Sequence, residues 1–160
     1  MSKWHKDWMK EHQFNKFNKL IFKDRNNHER NIKYVKNNMK ILDFGCGDCY
    51  FFDFIKPKFK NLSLIGIDID REAIKISKEK GYTVYDDINK VREKDFDLIV
   101  LNETIEHLPV NLTIILFNKF KEILNYNGLI IISTHNIDLY NMRDFWNVYD
   151  HIRPYPIKSI

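Results

Sequence analysis

Lys40-Ile-Leu-Asp43-Phe-Gly45-Cys-Gly47-Asp-Cys49 and Leu64-Ile-Gly-Ile-Asp68-Ile-Asp70 are the stretches that decide the fold of this chain of 160 residues. Each begins with an apolar run typical of a buried strand; the first run enters a turn with two glycines, and the second ends on an acid. Glycines let the main chain approach a ligand closely, and an acid at the end of the next strand accepts hydrogen bonds from ribose hydroxyls. Asp68 follows Gly47 by 21 residues. The pattern therefore predicts the nucleotide-binding half of a doubly wound α/β domain and a cofactor of the adenosine type.

The glycine turn narrows the choice of cofactor. A dinucleotide-binding turn reads G-x-G-x-x-G, and its third glycine allows close packing beside a pyrophosphate, whereas Tyr50 occupies that position here. The chain also contains no G-x-x-x-x-G-K-[ST] run of the kind that cradles nucleoside triphosphates. Asp43, just before the glycines, suits a cationic or amine-bearing cofactor and repels a pyrophosphate. An NAD-dependent oxidoreductase is therefore disfavoured.

Hydrophobic periodicity and breakers predict alternating strands and helices. We expect strands at 39–44, 62–68, 82–86, 97–102 and 129–134, and helices over much of 4–37 and at 48–56, 71–80 and 111–125. Such alternation predicts a Rossmann-like parallel sheet in the order 3-2-1-4-5. Ligands bind where the strand order reverses, at the carboxyl ends of the strands. The turn at Gly45–Gly47 and the strand end at Asn102–Glu103 should therefore meet at one site.

At these residues the chain resembles the class I S-adenosylmethionine-dependent methyltransferases. The first motif of that family, E/D-x-G-x-G-x-G, is matched from Asp43 to Gly47, with Cys49 in place of the last glycine. Further matches follow in the same order, and together they cover about residues 30–155: Gly66-Ile-Asp68-Ile69-Asp70, Asp95-Phe-Asp97 through Glu103-Thr-Ile-Glu106-His107-Leu, and Asn125-Tyr-Asn-Gly128 through Ser133-Thr134. Four motifs in the right order are far more specific than one.

The resemblance implies S-adenosylmethionine as the cofactor and assigns expected roles to individual residues. Asp68 would bind the ribose, Asp87 the adenine amino group, and Ile69 would lie against the adenine face. The remaining cofactor-binding residues implied by the resemblance are Asp43, Gly45, Gly47 and Asn102. Glu103, Glu106 and His107 would face the methyl acceptor, which we expect to be a small molecule; His107 is the candidate base, or else only packs near the site.

Two alternatives stay open. Glu103-x-x-Glu106-His107 and the later His151 also resemble the metal site of the RNA 3′-terminal 2′-O-methyltransferases, in which two glutamates and two histidines hold a divalent ion such as Mg²⁺ or Mn²⁺. The competing interpretation makes His151 a surface residue in a docked tail. The other alternative is a non-catalytic binding or regulatory protein that keeps the cofactor fold.

Composition sets limits on domain organisation and location. The chain carries a net charge of +4, and residues 1–40 hold 11 Lys and Arg against 4 Asp and Glu. That basic segment either meets nucleic acid or an anionic substrate, or forms a solvated helical face. The N-terminus lacks the apolar core of a signal peptide, no run is long enough to span a bilayer, and two cysteines are typical of a reducing cytoplasm. Cys46 and Cys49 form a C-x-x-C pair that is best explained as coincidence.

We expect a single domain over residues 1–160, with three parts. Residues 1–37 would form a helical lid in which Trp4 and Trp8 line the acceptor site, 38–135 the cofactor-binding core, and 136–160 a tail. Compared with the full family sheet, the C-terminal hairpin strands are apparently missing. The edge of the fifth strand would then need a cover, supplied by the tail, a second subunit or another partner.

Overall fold

The computed structural model describes residues 31–135 and 142–154. Its sheet has five strands in the order β3-β2-β1-β4-β5, and every neighbouring pair is parallel. The strands are β1 (Lys40–Phe44), β2 (Ser63–Ile67), β3 (Thr83–Tyr85), β4 (Phe96–Asn102) and β5 (Leu124–Ser133). The helices are α1 (Tyr50–Ile55), α2 (Arg71–Glu79), α3 (Val110–Ile123) and α4 (Met142–Trp146). The predicted fold class and strand order are confirmed.

Apolar side chains fill both faces of the sheet. In β4, Leu98 and Val100 belong to one buried cluster, which also contains residues of α1 and α2. The intervening Ile99 and Leu101 point into the opposite cluster with Leu116 and other residues of α3. This alternation follows from the two-residue period of a strand covered on both faces. Each large side chain that is fully buried contributes about 1.5–3 kcal/mol of hydrophobic stabilisation.

The strand register brings the predicted functional turns to one edge. Asp43 of β1 pairs with Val100 of β4, and Asn102 at the end of β4 pairs with Ser133 at the end of β5. The order reverses between β1 and β4, because β2 and β3 lie on one side of β1 while β4 and β5 lie on the other. A crevice at the carboxyl ends of β1 and β4 is the expected result.

The beginning of β5 differs from the prediction. The helix expected to end at 125 ends at Ile123, and the strand begins at Leu124 with a register irregularity opposite Phe96 and Leu98. Gly128 makes the irregularity possible, since a Cβ there would lie 2.7 Å from the Phe96 carbonyl oxygen. A bulge of this kind is not visible in hydrophobic periodicity alone.

The helix predicted for 4–37 is wrong at its end. Ile32–Tyr34 forms a single 3₁₀ turn, and Val35 is extended. Before β1, the Asn38 amide then donates to the Lys60 carbonyl at 2.9 Å. The predicted lid helix, including Trp4 and Trp8, otherwise lies outside the described residues.

Within the described ranges, β5 is an edge strand and no sixth strand follows it. Tyr126 is fully exposed and Leu129 is 42% exposed. The cover that we expect over this edge, from the tail, a second subunit or another partner, stays a prediction. Over the same ranges, every helix falls short of the length and hydropathy that a membrane-spanning segment requires.

Candidate functional site

The glycine turn after β1 is tightly packed on one side and open on the other. Gly45 has a φ of +79°, and a Cβ there would lie 2.3 Å from the Thr104 hydroxyl oxygen. Gly47 has a φ of +53°, and a Cβ there would meet no atom of the described residues within 4 Å. Both dihedrals lie in the region that favours glycine. Gly45 thus allows the turn after β1 to pack closely against the turn after β4, while Gly47 leaves space for a ligand.

Asp68 holds the open side of this turn in place. Its Oδ2 accepts a hydrogen bond from the Gly47 amide at 2.6 Å, and its Oδ1 accepts one from the Asp70 amide at 2.8 Å. A carboxylate oxygen can accept more than one hydrogen bond, so ribose hydroxyls remain possible partners. The next side chain, Ile69, is 88% exposed, which leaves an apolar surface beside Asp68 for an adenine ring.

Asp43 is a buried acid that lacks a complete set of partners. The residue is 2% exposed, and its Oδ1 is buried without a hydrogen-bond partner in residues 31–135 and 142–154. Burial, and secondarily the negative charge of Asp68, raise the pKa of Asp43 to about 8. A cationic ligand group beside this carboxyl would offset both effects. The residues present therefore fit an adenosine cofactor that carries positive charge.

Asp87 occupies a different environment from the other predicted cofactor residues. It is exposed, and it caps the 3₁₀ turn Ile88–Lys90 by accepting a hydrogen bond from the Asn89 amide at 2.9 Å. An open groove of about 660 Å³ lies beside it, lined by Ile69, Arg71, Ile74, Lys78, Val84, Tyr85, Asp86 and Lys90. Asp86 lines this groove and pairs with Lys90, so the role of Asp87 towards adenine stays a prediction.

The segment after β4 is a strained turn. Glu103 has a φ of +47°, unusual for a residue with a side chain, and its amide donates to the Ser133 carbonyl at 2.8 Å. The 3₁₀ turn Ile105–His107 follows and buries Glu106 completely. Such strain persists where the surrounding structure enforces it, often at functional sites.

Asn102 links three parts of the chain. Its Oδ1 accepts hydrogen bonds from Asn31 at 2.7 Å and from the Ser133 hydroxyl at 3.0 Å. Among the described residues, its Nδ2 is buried without a partner. The structure thus places Asn102 at the carboxyl end of β4, in the predicted crevice, with a donor that no described residue accepts.

His135, at the end of β5, lies between the two glutamates. Its Nδ1 is 2.9 Å from Glu103 Oε2 and 3.2 Å from Glu106 Oε1. These hydrogen bonds, the one to Glu103 first, raise the pKa of His135 to about 10. The pKa of Glu103 is also raised, chiefly by burial, although the hydrogen bond from His135 acts against it. In this state the imidazolium supplies the positive charge between two carboxylates.

The C-terminal segment brings His151 into the same place. His151 is 7% exposed, so the surface interpretation is wrong. Its Nδ1 is 2.8 Å from the Phe145 carbonyl oxygen, and its ring centroid lies 4.8 Å from that of His107 and 5.2 Å from that of His135. Burial is the largest cause that lowers the pKa of His151 to about 4. The ring is therefore neutral at pH 7.

His107 faces the same segment. Its Nδ1 lies 3.2 Å from the carbonyl oxygen of Asp150 and 3.3 Å from Oδ2 of the same residue. Glu103, Glu106, His107, His135 and His151 are called the His–Glu cluster below. Within it, one potential metal-ligand atom from each of Glu106, His135 and His151 lies within 4.8 Å of the other two. The metal set predicted from sequence has Glu103 and His107 instead of His135.

Sequence analysis did not assign a function to His135. The available signal was its position: it comes two residues after Ser133, which pairs with Asn102 at the carboxyl edge.

A second signal appears only in the structure. Among the described residues, the buried side-chain polar atoms without a partner belong to Asp43, Asn102, Glu106, Thr134 and Asp150. All lie at the carboxyl ends of β1, β4 and β5 or in the segment that docks there, as expected for a ligand-binding crevice.

The two cysteines in the glycine turn are free thiols in the core. Cys46 is 7% exposed and Cys49 is fully buried. A hydrogen bond with Cys49, and burial, raise the pKa of the Cys46 thiol. A buried thiol that keeps its proton is a packing group rather than a nucleophile, which agrees with the interpretation of the pair as coincidence.

Comparisons with known proteins bear on the family and the fold. The model of a methyltransferase domain matches residues 10–160. Malonyl-[acyl-carrier protein] O-methyltransferase 1 of Ilyobacter polytropus is 29% identical over 133 residues, which cover 78% of this chain and 49% of the relative. Malonyl-[acyl-carrier protein] O-methyltransferase 2 of the same organism is 34% identical over 107 residues, 62% of this chain and 40% of the relative.

A solved structure shares the fold. The crystal structure of a SAM-dependent methyltransferase from Archaeoglobus fulgidus superposes with a TM-score of 0.74 at 22% identity, covering 89% of this chain and 70% of that one. The chain spans about half the length of the curated relatives it matches.

Proposed function

This chain belongs to the class I S-adenosylmethionine-dependent methyltransferases, and from that premise we propose that it binds S-adenosylmethionine and transfers the methyl group to an oxygen of a small-molecule acceptor. The observation that carries the proposal is the buried carboxyl of Asp43, whose Oδ1 has no partner in the part of the chain that the structure describes, beside a glycine turn that Asp68 holds open. The ionised form of an acid so buried is costly unless a cationic partner binds it.

The protein has a limited chemical task. The cofactor supplies a methyl group on a sulfonium, which is already an activated leaving group. The residues of the chain have to bind the cofactor, align the acceptor atom with the methyl group and exclude water. Asp68 and Gly47 would hold the ribose side, and Ile69 would cover the adenine. The His–Glu cluster, which is next to Thr104 and thus to Gly45, would receive the acceptor.

A base is needed only if the acceptor must lose a proton. His107 suits this role because Asp150 lies against its Nδ1 and leaves the other ring nitrogen for a substrate proton. An oxygen acceptor is supported by relatives named as O-methyltransferases. Because the chain spans about half the length of those relatives, the acceptor and the activity are both part of the proposal.

The test is calorimetric titration of the full chain with S-adenosylhomocysteine in EDTA. We expect micromolar binding by the wild type and a loss of about 10–100-fold in Asp68→Ala, because a charge-assisted hydrogen bond contributes about 1.5–3 kcal/mol. Asp70→Ala is the matched control: it removes the acid that caps α2 by accepting from the Glu72 amide. That change lowers stability by about 1 kcal/mol but should leave affinity within a factor of three.

No binding by a wild-type chain whose circular dichroism and unfolding transition are those of a folded protein would overturn the proposal. Equal losses in Asp68→Ala and Asp70→Ala would also overturn the assignment of Asp68, because the effect would then follow stability. Binding without methylation of any acceptor, including carboxylic acids and hydroxyl compounds, would favour the non-catalytic alternative.

A further inference from the structure

Glu106 is the acid of the His–Glu cluster that has a buried carboxylate oxygen without a hydrogen bond among the described residues. Its side chain is completely buried, and Oε2 accepts no hydrogen bond from any residue in the described part of the chain. A second acid is close, because Glu103 and Glu106 both contact Nδ1 of His135. Two carboxylates in a buried place require positive charge between them.

His151 is arranged as metal-binding histidines usually are. Its Nδ1 faces the main-chain carbonyl of Phe145 at 2.8 Å, which selects the tautomer that has a lone pair on Nε2. A histidine that binds a metal through one nitrogen commonly donates its other N–H to a carbonyl or carboxylate in this way. His151 is also buried, so its orientation is fixed by packing rather than by solvent.

We infer that Glu106, His135 and His151 form a binding site for one divalent transition-metal ion such as Zn²⁺ or Mn²⁺. Their potential ligand atoms lie within 4.8 Å of one another. Bonds of about 2.1 Å hold ligands about 3–4 Å apart, so small side-chain rotations close the group. Two imidazoles with one carboxylate favour transition metals over Mg²⁺, which prefers oxygen ligands.

The remaining members of the cluster have supporting positions. Glu103 contacts Nδ1 of His135 at 2.9 Å and, with the ion in place of the proton on that nitrogen, would complete the ligand set. His107 packs its ring against His151. The ion would therefore replace the imidazolium proton of His135 as the positive charge between the acids.

The location gives the ion a function that rests on the proposed methyl transfer. Thr104, next to Glu103, packs against Gly45 of the cofactor turn, so the cluster lies beside the expected position of the methyl group. A divalent ion there binds an oxygen acceptor and lowers the pKa of a hydroxyl. The acceptor class would then be a hydroxyl or carboxylate compound. Metal binding itself does not depend on methyl transfer and is measured without cofactor.

The test is a calorimetric titration of the full chain with Zn²⁺, Mn²⁺ and Mg²⁺, after a chelator has removed any metal ion. We expect one Zn²⁺ per chain, weaker Mn²⁺ and much weaker Mg²⁺. His135→Gln is the least disruptive ligand variant, because this side chain is 40% exposed. It should lower Zn²⁺ affinity by 10-fold or more, whereas Glu122→Gln, an exposed acid on α3, should leave it unchanged. His107→Gln tests the ligand set predicted from sequence, which contains His107, against the set inferred from the structure, which contains His135. The inferred set predicts a smaller loss of Zn²⁺ affinity in His107→Gln than in His135→Gln.

Several outcomes would overturn the inference. They are absence of Zn²⁺ binding at millimolar concentration, equal affinity in His135→Gln and the wild type, and a larger loss in His107→Gln than in His135→Gln. If His135→Gln does not fold, Mn²⁺ broadening of histidine ring signals in the wild type decides. Broadening of His135 and His151 before the other histidines supports the site, and any other order contradicts it. Binding of S-adenosylhomocysteine in EDTA reports separately on the proposed function.

Discussion

Asp43 is the residue at which burial and charge conflict most directly. Its carboxyl is 2% exposed, close enough to Asp68 for like-charge repulsion, and its pKa is raised to about 8. The unfolded chain releases this proton near the ordinary pKa of about 3.9. Between about pH 4 and pH 8 the folded protein therefore binds more protons at this position than the unfolded chain does. By linkage, the contribution of Asp43 to stability decreases as the pH rises through this window.

Asp43→Asn removes this dependence because the amide is always neutral. We expect the free energy of unfolding of the variant, minus that of the wild type, to increase from pH 5 to pH 8 by at most about 1.4 kcal/mol per pH unit. Urea unfolding of both proteins at four pH values measures the difference. Contributions of other titrating groups cancel in it. A difference that does not change with pH would show that Asp43 is ionised in the folded protein.

Two residues show the limit of sequence reasoning at this scale. The family motif has glycine at the position of Cys49, and the structure gives Cys49 a φ of +62°. The substitution therefore keeps the left-handed conformation and adds a buried thiol without opening the turn. His135 was not assigned, because its contacts with Glu103 and Glu106 join residues about thirty positions apart. Spacing alone does not reveal such a contact.

At the scale of elements, the site depends on contact between the turns after β1 and β4. Gly45→Ala should test this contact, because the new Cβ would meet the Thr104 side chain at 2.3 Å. We expect a loss of about 2–5 kcal/mol, from a positive φ that costs about 1–2 kcal/mol and overpacking that costs about 1–3 kcal/mol. Gly81→Ala is the matched control: its φ is +84°, but its Cβ would meet nothing within 4 Å.

Denaturant unfolding gives both free energies, and a double variant identifies the cause. If the clash dominates, Thr104→Ala should partly relieve Gly45→Ala, so that the double variant is less destabilised than the sum of the single ones. Equal losses in Gly45→Ala and Gly81→Ala would mean that only backbone strain matters and that the two turns are not closely packed.

Most elements could be predicted because their signals are local. Apolar runs and helix breakers placed the other strands and helices to within a few residues. The start of β5 was the exception, because its bulge depends on pairing with β4. Asn125 of the bulge donates to Asp97 at 2.6 Å, a partner in another strand. Pairing across strands is not encoded in the periodicity of one segment.

At the scale of the whole molecule, the C-terminal segment completes the site. The amides of Ile152 and Arg153 donate to the Glu106 carbonyl at 2.8 and 3.2 Å, and His151 enters the His–Glu cluster. Sequence analysis expected the tail, a second subunit or another partner to cover the β5 edge, and this stays a prediction. The hydrogen bonds of residues 142–154 lead to the turn after β4, over a separation of about 43 residues. Docking over such a distance is decided by tertiary packing, which local patterns do not contain.

Phe145 should anchor this segment. Its side chain is 2% exposed, and its ring centroid lies 4.4 Å from that of His151. Truncation of a buried phenylalanine costs about 3–5 kcal/mol, and a segment that docks on the sheet without being one of its strands can open without unfolding it. Phe145→Ala should therefore accelerate amide exchange at Ile152 and Arg153 by 100-fold or more, with little change in β1. Trp146→Ala is the matched control, because that ring is 50% exposed and should change exchange by less than tenfold. Equal acceleration throughout the sheet would mean that residues 142–154 unfold only together with the core, and that Phe145 stabilises the whole domain.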